Sequence, residues 1–188
     1  MTDFREITGI TNAWVREIPR NDDNRGYFLE EFRVSHAPMA VPAFVQDSIS
    51  YSKKRVLRGL HLQVDQWQLV TVLRGDLVDV LVDLSSDSPT YLKSVSLKLS
   101  DSGSNQLLLR PGIAHGYAVT SSDALIHYKS NIYYGDSVQF GIHWKSEEFA
   151  DYWPSDACTV SERDDAFPSL KELLASLDLG KTRANFLN

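Results

Sequence analysis

The sequence predicts a mainly β domain, a sandwich or jelly roll, with a helix at its C-terminal end. Three observations carry that expectation. Apolar residues recur with a period of two far more often than 3.6, as in "DLVDVLVDL" at 76–84. Clusters of turn formers separate many short runs of this kind, the spacing expected of strands in a closed β architecture. Helical spacing is clear only near the end, where Leu170, Leu173, Leu174 and Leu177 stand at i, i+3, i+4 and i+7.

Taken in order, the candidate strands are "YFLEEF" (27–32), "AFVQDSISY" (43–51), "VLRGLHLQ" (56–63), "WQLVTVLRG" (67–75), "DLVDVLVDL" (76–84), "YLKSVSLKL" (91–99), "NQLLLR" (105–110), "AHGYAVT" (114–120) and "ALIHYKSNIYY" (124–134). "RGD" at 74–76 joins two of them closely enough for a hairpin, and "SSDSPT", "SDSGS" and "TSSD" mark other reversals. The helix is expected at about 168–179, with Pro168 at its start and Gly180 after it. No repeat, low-complexity tract or linker interrupts the chain, so a single domain over 1–188 is expected.

The 188 residues carry 19 Lys plus Arg against 25 Asp plus Glu, which argues against a nucleic-acid partner. The tight basic run "SKKR" at 52–55 is short, and local phosphate binding stays open. Cys158 is the single cysteine, so no internal disulfide can form. No stretch reaches the roughly 18 apolar residues of a membrane span, and "MTDFREITGITNAW" lacks the apolar core of a secretion signal. No membrane partner and a cytoplasmic location are the expectation.

"VLRGLHLQV" at 56–64 raises a question of geometry. Strict alternation puts Val56, Arg58 and Leu60 on one face and Leu57, Gly59, His61 and Gln63 on the other. Arg58 and His61 reach one cavity only if Gly59 marks a bulge or a close approach. Alone, the pair would read as a solvated arginine and a satisfied histidine. It is not alone: His115 stands in "LLLRPGIAHGYAV", three tyrosines in "IHYKSNIYY", and adjacent aspartates in "SERDDAFPSL". The stretch around His115 resembles the second half of a cupin signature. Metal-binding cupins supply two histidines one residue apart and then a carboxylate, because a divalent ion needs several converging N and O ligands. Here that slot reads "HLQ", and Gln63 replaces imidazole poorly, so no metal is expected and the chemistry falls to side chains.

From about residue 5 to 170 the chain resembles the dTDP-4-dehydrorhamnose 3,5-epimerase family. The resemblance rests on "DNRGYFLEEF", "FVQDSISYSKKRVLRGLHLQ", "GDLVDVLVDLSSDSPTY", "PGIAHGYAV", "HYKSNIYY" and "SERDDAFP", in that order. It implies a cupin-like jelly roll with helical additions, a homodimer, no metal or organic cofactor, and a dTDP- or CDP-linked 4-keto-6-deoxyhexose as substrate. The place implied is deoxysugar supply for polysaccharides such as O-antigen and lipopolysaccharide. In such a sugar the ketone acidifies carbons 3 and 5; a base forms the enolate and an acid on the opposite face returns the proton. By resemblance His61 is the base, an imidazole of intrinsic pKa about 6.5, Asp164 its carboxylate partner and Tyr128 the acid. Arg58, His115 and Arg163 match positions near the diphosphate, where guanidinium geometry suits phosphate. Gln46 matches a nucleotide or sugar contact, Tyr133 a stacking position, and Arg25, Phe28 and Glu30 a segment that reaches a neighbouring subunit's nucleotide.

Two departures stand out. The family usually has a longer loop and a lysine before an apolar "LV"; here "HLQVDQWQLV" is shorter and Gln68 takes the lysine position, bringing a neutral donor in place of a charged one. Ser48 replaces a usual asparagine and Asn24 an acidic residue, which leaves the base open between thymine and cytosine. Asp79 and Asp83 share one strand face, either supporting the histidines or meeting solvent. Epimerisation at carbon 3, or at carbons 3 and 5, competes with a 3,4-ketoisomerase and with a silent binding module. Filled base, partner and acid positions favour the epimerase.

Overall fold

In the computed structural model, which describes residues 3–103, 105–156 and 159–179, the period-two runs form two antiparallel sheets packed face to face. Cys158 and Gly180 lie outside the described residues. The six-stranded sheet runs in the order β1 (Arg5–Glu6), β2 (Ala13–Arg16), β10 (Gln106–Leu109), β7 (Gln68–Arg74), β12 (Asp123–Ser130), β5 (Gln46–Lys53). The five-stranded sheet runs β13 (Gln139–Gly141), β6 (Leu57–Gln63), β11 (Ile113–Val119), β8 (Asp76–Asp83), β9 (Ser94–Ser100), and β3 (Arg20–Asp23) with β4 (Gly26–Leu29) makes a separate hairpin.

Alternation decides which core each residue joins. Val70 and Val72 of β7, Leu107 and Leu109 of β10, Leu77 and Leu81 of β8, and Ile113 and Val119 of β11 fill the space between the sheets. Residues of opposite parity, Val80, Val82, Ala114 and Ala118, face outward and are covered by Phe149, Trp153 and the helix α2 (Leu170–Leu179) through Leu170 and Leu173. On the other sheet Leu69 and Leu108 are covered by Phe4, Phe32, Phe44 and Trp67. This is the expected jelly-roll sandwich with its C-terminal helix. A capping box starts α2: Ser169 Oγ accepts from the Glu172 N–H at 3.3 Å while Glu172 Oε2 accepts from the Ser169 N–H at 2.8 Å.

The boundaries move where local turn chemistry wins. "YLKSVSLKL" enters its strand only at Ser94, because Leu92 sits at φ 63, a left-handed turn conformation that ends extended backbone. "ALIHYKSNIYY" leaves its strand at Ser130, and Tyr133 and Tyr134 fall in the following turn. In "YFLEEF" the strand ends at Leu29. The short strands β1, β2, β3 and β13 lack enough residues to show a period. Among the described residues no helix is long and apolar enough to cross a membrane.

Candidate active site

The misplaced pair in β6 is resolved by a bulge. Across β6 and β11, His61 pairs with His115 and Arg58 with Tyr117, so three steps on β6 match two on β11. The extra residue is Gly59, at φ 117. A Cβ there would lie 2.5 Å from Gly116 Cα, and one on Gly116 would lie 2.7 Å from Arg58 O, so bulge and close approach both require glycine. The parity of β6 flips at this point: Leu57, Leu60 and Leu62 join the outer core, while Arg58, His61 and Gln63 turn to the cavity.

That cavity, about 250 Å³, opens between the sheets. The five-stranded sheet contributes Arg58, His61, Gln63, His115 and Tyr117; the six-stranded sheet contributes Gln46, Ser48, Ser50, Gln68, Tyr128 and Ser130. The histidine and tyrosine expected to act as base and acid therefore stand on different sheets around one space.

His61 Nε2 donates to Asp164 Oδ1 at 3.0 Å, since an ionised carboxylate only accepts, which leaves Nδ1 as the free base. The Gly59 N–H donates to the other oxygen, Oδ2, at 3.0 Å. Asp164 is buried, and burial alone would raise its pKa. The hydrogen bonds from His61 and Gly59, with the charges of His61 and Arg163, outweigh that and hold the carboxyl below its usual range. Asp164 reaches this point on the short helix α1 (Glu162–Asp165), where Ser161 Oγ caps its N–H at 3.1 Å. Phe167 sets its ring edge-on to His61, centroids 5.7 Å apart. It occupies the space a side chain at Gly141, opposite His61 in β13, would need.

Tyr128 lies in the opposite electrostatic setting. Burial, its neighbour Tyr117 and the charge of Asp79 push the phenol well above its usual pKa, against a smaller opposing effect of Arg58, so it stays protonated. Gln68 Nε2 donates to Gln66 Oε1 at 3.2 Å, and Gln66 Nε2 in turn to Ile132 O at 2.9 Å, which fixes the orientation of both amides. His115 meets Asp79 at 3.5 Å within the core, and burial pushes Asp79 up in pKa against the opposing effect of His115. Asp83, also buried, serves a loop: it accepts from Ser88 Oγ at 2.5 Å and Thr90 Oγ1 at 2.6 Å.

Of the residues singled out in the sequence, Gln46, Arg58, His61, Gln68, His115 and Tyr128 line the cavity, and Asp164 stands behind His61. Arg163 donates to Gln139, which lines the cavity. Tyr133 is exposed and not part of the lining; Tyr134 is, and its N–H donates to Gln46 Oε1 at 2.7 Å. Arg25, Phe28 and Glu30 lie apart, on or beside the β3–β4 hairpin. Arg25 pairs with Asp23 and Glu30 with Arg33, and Phe28 is 71% exposed. Sequence reading passed over Tyr117, Gln66, Ser50 and Phe167. Tyr117 carried a signal, since it shares the parity of His115. Gln63, in the slot of a metal-binding histidine, accepts from Ser137 Oγ at 3.1 Å. Among the described residues no three His, Cys, Asp or Glu side chains gather closely enough to hold an ion.

Known proteins are similar to this chain in both sequence and fold. A family model described as dTDP-4-dehydrorhamnose 3,5-epimerase matches residues 7–172. A dTDP-4-dehydrorhamnose 3,5-epimerase of Methanothermobacter thermautotrophicus is 35% identical over 180 residues, covering 92% of this chain and 97% of its own. A dTDP-4-dehydrorhamnose 3-epimerase of Streptomyces niveus is 33% identical over 163 residues, covering 83% and 78%. Among solved structures, a dTDP-6-deoxy-D-glucose-3,5-epimerase of Legionella pneumophila in complex with dTDP-4-keto-L-rhamnose superposes with a TM-score of 0.84 at 34% identity, over 94% of this chain and 97% of that one.

Proposed function

The chain belongs to the dTDP-4-dehydrorhamnose 3,5-epimerase family and is an epimerase of the isomerase class, and from that premise we propose how its own residues carry out the reaction. The substrate is a nucleoside-diphosphate-linked 4-keto-6-deoxyhexose, with dTDP as the nucleotide. The dTDP-4-keto-L-rhamnose bound to the Legionella relative supports this choice. His61, oriented by Asp164, removes the carbon 3 proton through Nδ1. The electron pair moves into the enolate, and Tyr128 returns a proton from the other face, inverting the centre. The observation that carries this reading is the pairing of a carboxylate-backed imidazole on one sheet with a protonated phenol on the other, around one cavity.

Gln68, held by Gln66, sits where it can donate a neutral hydrogen bond to the enolate oxygen. Without a lysine charge there, inversion at carbon 3 dominates over carbon 5, as in the name of the Streptomyces niveus relative. Arg58, His115 and Arg163 bind the diphosphate, and Gln46 contacts the nucleotide or sugar. Tyr134, which lines the cavity beside Gln46, joins Tyr133 as a stacking candidate. The exposed Phe28, with Arg25 and Glu30, completes the nucleotide site of a second copy, making the working unit a homodimer. The chemistry asks for no metal or organic cofactor. A cytoplasmic setting fits a charged substrate that does not cross membranes unaided, and supply of deoxysugars for O-antigen or lipopolysaccharide fits the product.

The test is hydrogen exchange in heavy water with dTDP- and CDP-linked 4-keto-6-deoxyglucose. Label at carbon 3 of the dTDP sugar is expected, before and after chelation. A 3-keto product would make the protein a ketoisomerase, and no label with either nucleotide would make it a binder. Faster labelling of the CDP sugar would move the assignment to cytosine.

A further inference from the structure

The hydroxyl of Tyr117 does something the fold does not require. The residue is 2% exposed, and its ring packs in the core between the sheets. Its hydroxyl lies 3.1 Å from Ser50 Oγ and 3.1 Å from Ser52 Oγ, both on β5; Tyr128 of β12 packs against the same core cluster and lines the same cavity, and Tyr117 helps to hold its phenol neutral. Phenylalanine would fill nearly the same volume. Four hydroxyls gathered beside the core, one of them the acid, need a polar reason, because burying such groups confers little net stability.

Counting donors gives the chain a direction. Arg58 Nε donates to Ser52 Oγ at 3.0 Å, so the Ser52 proton is free to point at the Tyr117 oxygen. Tyr128 donates to the same oxygen, which uses both of its lone pairs. The Tyr117 proton then points at Ser50, which is partly exposed and lines the cavity.

We propose that Tyr117 is a positioning residue for the acid: it holds the Tyr128 proton in the resting cavity and, through Ser50, reloads Tyr128 after each transfer. This rests on Tyr128 being the acid. The protons balance. Tyr128 O–H breaks and carbon 3 gains the hydrogen as the enolate returns to the ketone, leaving a phenolate. With the Tyr128 proton gone, the Tyr117 hydroxyl turns from Ser50 to that phenolate and gives it a proton, and Ser50 turns to give Tyr117 a proton and takes one from water. The imidazolium of His61 gives its proton to water, and the enzyme is restored.

The experiment uses Tyr117→Phe in the full chain, with melting temperature as the folding control. Exchange at carbon 3 is expected near the wild-type rate, because His61 acts without the relay. Epimer formed per exchange event should fall roughly tenfold, the low end of what proton delivery contributes. The alkaline limb of epimer formation should move to lower pH, since the hydrogen bond to Tyr117 favours the neutral phenol. The other charged groups facing Tyr128, Asp79 from β8 and Arg58 from β6, are unchanged by the substitution. A purely structural role would lower stability without moving that limb. Ser50→Ala, at a partly exposed position, should lower the same ratio and carries the test if Tyr117→Phe fails to fold. An unchanged ratio and limb in both variants overturns the relay. Tyr128→Phe separates the two readings: if it too leaves the ratio unchanged the acid assignment fails, and if it alone lowers the ratio the relay fails while the acid stands.

Discussion

His61 and His115 face each other across β6 and β11, each beside an aspartate, yet the two pairs are built differently. His61 bonds Asp164 at 3.0 Å with its side chain 29% exposed to the cavity, whereas His115 is 7% exposed and meets Asp79 only at 3.5 Å. Asp164 has two donors, the His61 ring and the Gly59 N–H. Asp79 Oδ1 is a buried side-chain oxygen with no hydrogen-bond partner. The carboxyls accordingly move in opposite directions, Asp164 below its usual range and Asp79 above it. A buried carboxylate can support a base only if donors outweigh burial. The glycine bulge supplies the second donor to Asp164, and among the described residues no donor reaches Asp79 Oδ1.

The largest expected effect lies at the histidines themselves. His61→Ala should lower carbon 3 exchange by about 10²- to 10⁴-fold with the circular dichroism spectrum unchanged. His115→Ala should mainly raise KM and keep exchange at saturating substrate within about tenfold. Wild-type exchange in His61→Ala would remove it as the base, and equal losses in the two variants would erase the contrast between the pairs.

One step smaller is the partner. Asp164→Asn should slow exchange by about 10- to 100-fold, since an amide still orients the ring but does not favour the imidazolium. A loss as deep as that of His61→Ala would mean the carboxylate does more than orient and charge the ring.

Stability against pH should then separate the aspartates by sign. Asp164 has a depressed folded pKa, so its ionised form stabilises above the unfolded value of about 4 and loses that contribution as pH falls through the folded value. Asp79 has a raised folded pKa, so its contribution is full below about 4 and is lost as pH rises through the raised value. At pH 7, Asp164→Asn should lower the melting temperature by about 2–4 °C and Asp79→Asn should raise it by a similar amount. Differential scanning calorimetry at pH 4 and 7 reads both, and shifts of the same sign at pH 7 would refute the contrast.

The smallest effect concerns the opposite wall. Gln68→Lys should speed exchange by less than about tenfold through a charge-assisted bond to the enolate oxygen, and should recruit label at carbon 5. Comparable labelling of both carbons in the unaltered enzyme would instead assign it to inversion at both centres.

Much of the molecule was legible from local pattern, for a definite reason. Side-chain parity along a strand is a property of neighbouring residues, so "DLVDVLVDL" disclosed a strand, and the spacing of Leu170, Leu173, Leu174 and Leu177 disclosed α2. The sequence blocks alone carried the family resemblance and nominated His61, Tyr128 and Asp164. What parity could not decide is what depends on a second strand. Whether Arg58 and His61 share a cavity turned on Gly59 meeting Gly116, a contact between residues 57 positions apart in the chain. Whether Asp164 is a solvated loop residue or a buried, ionised partner turned on a four-residue helix too short to show a period, and on a donor from the distant bulge. Which tyrosine of "IYY" turns to the cavity, and that the Tyr117 hydroxyl finds Ser50 and Ser52, were set by how the two sheets close on each other. Periodicity is written in adjacent residues; burial and hydrogen-bond partners come from residues far apart in the chain, so only the tertiary structure assigns them.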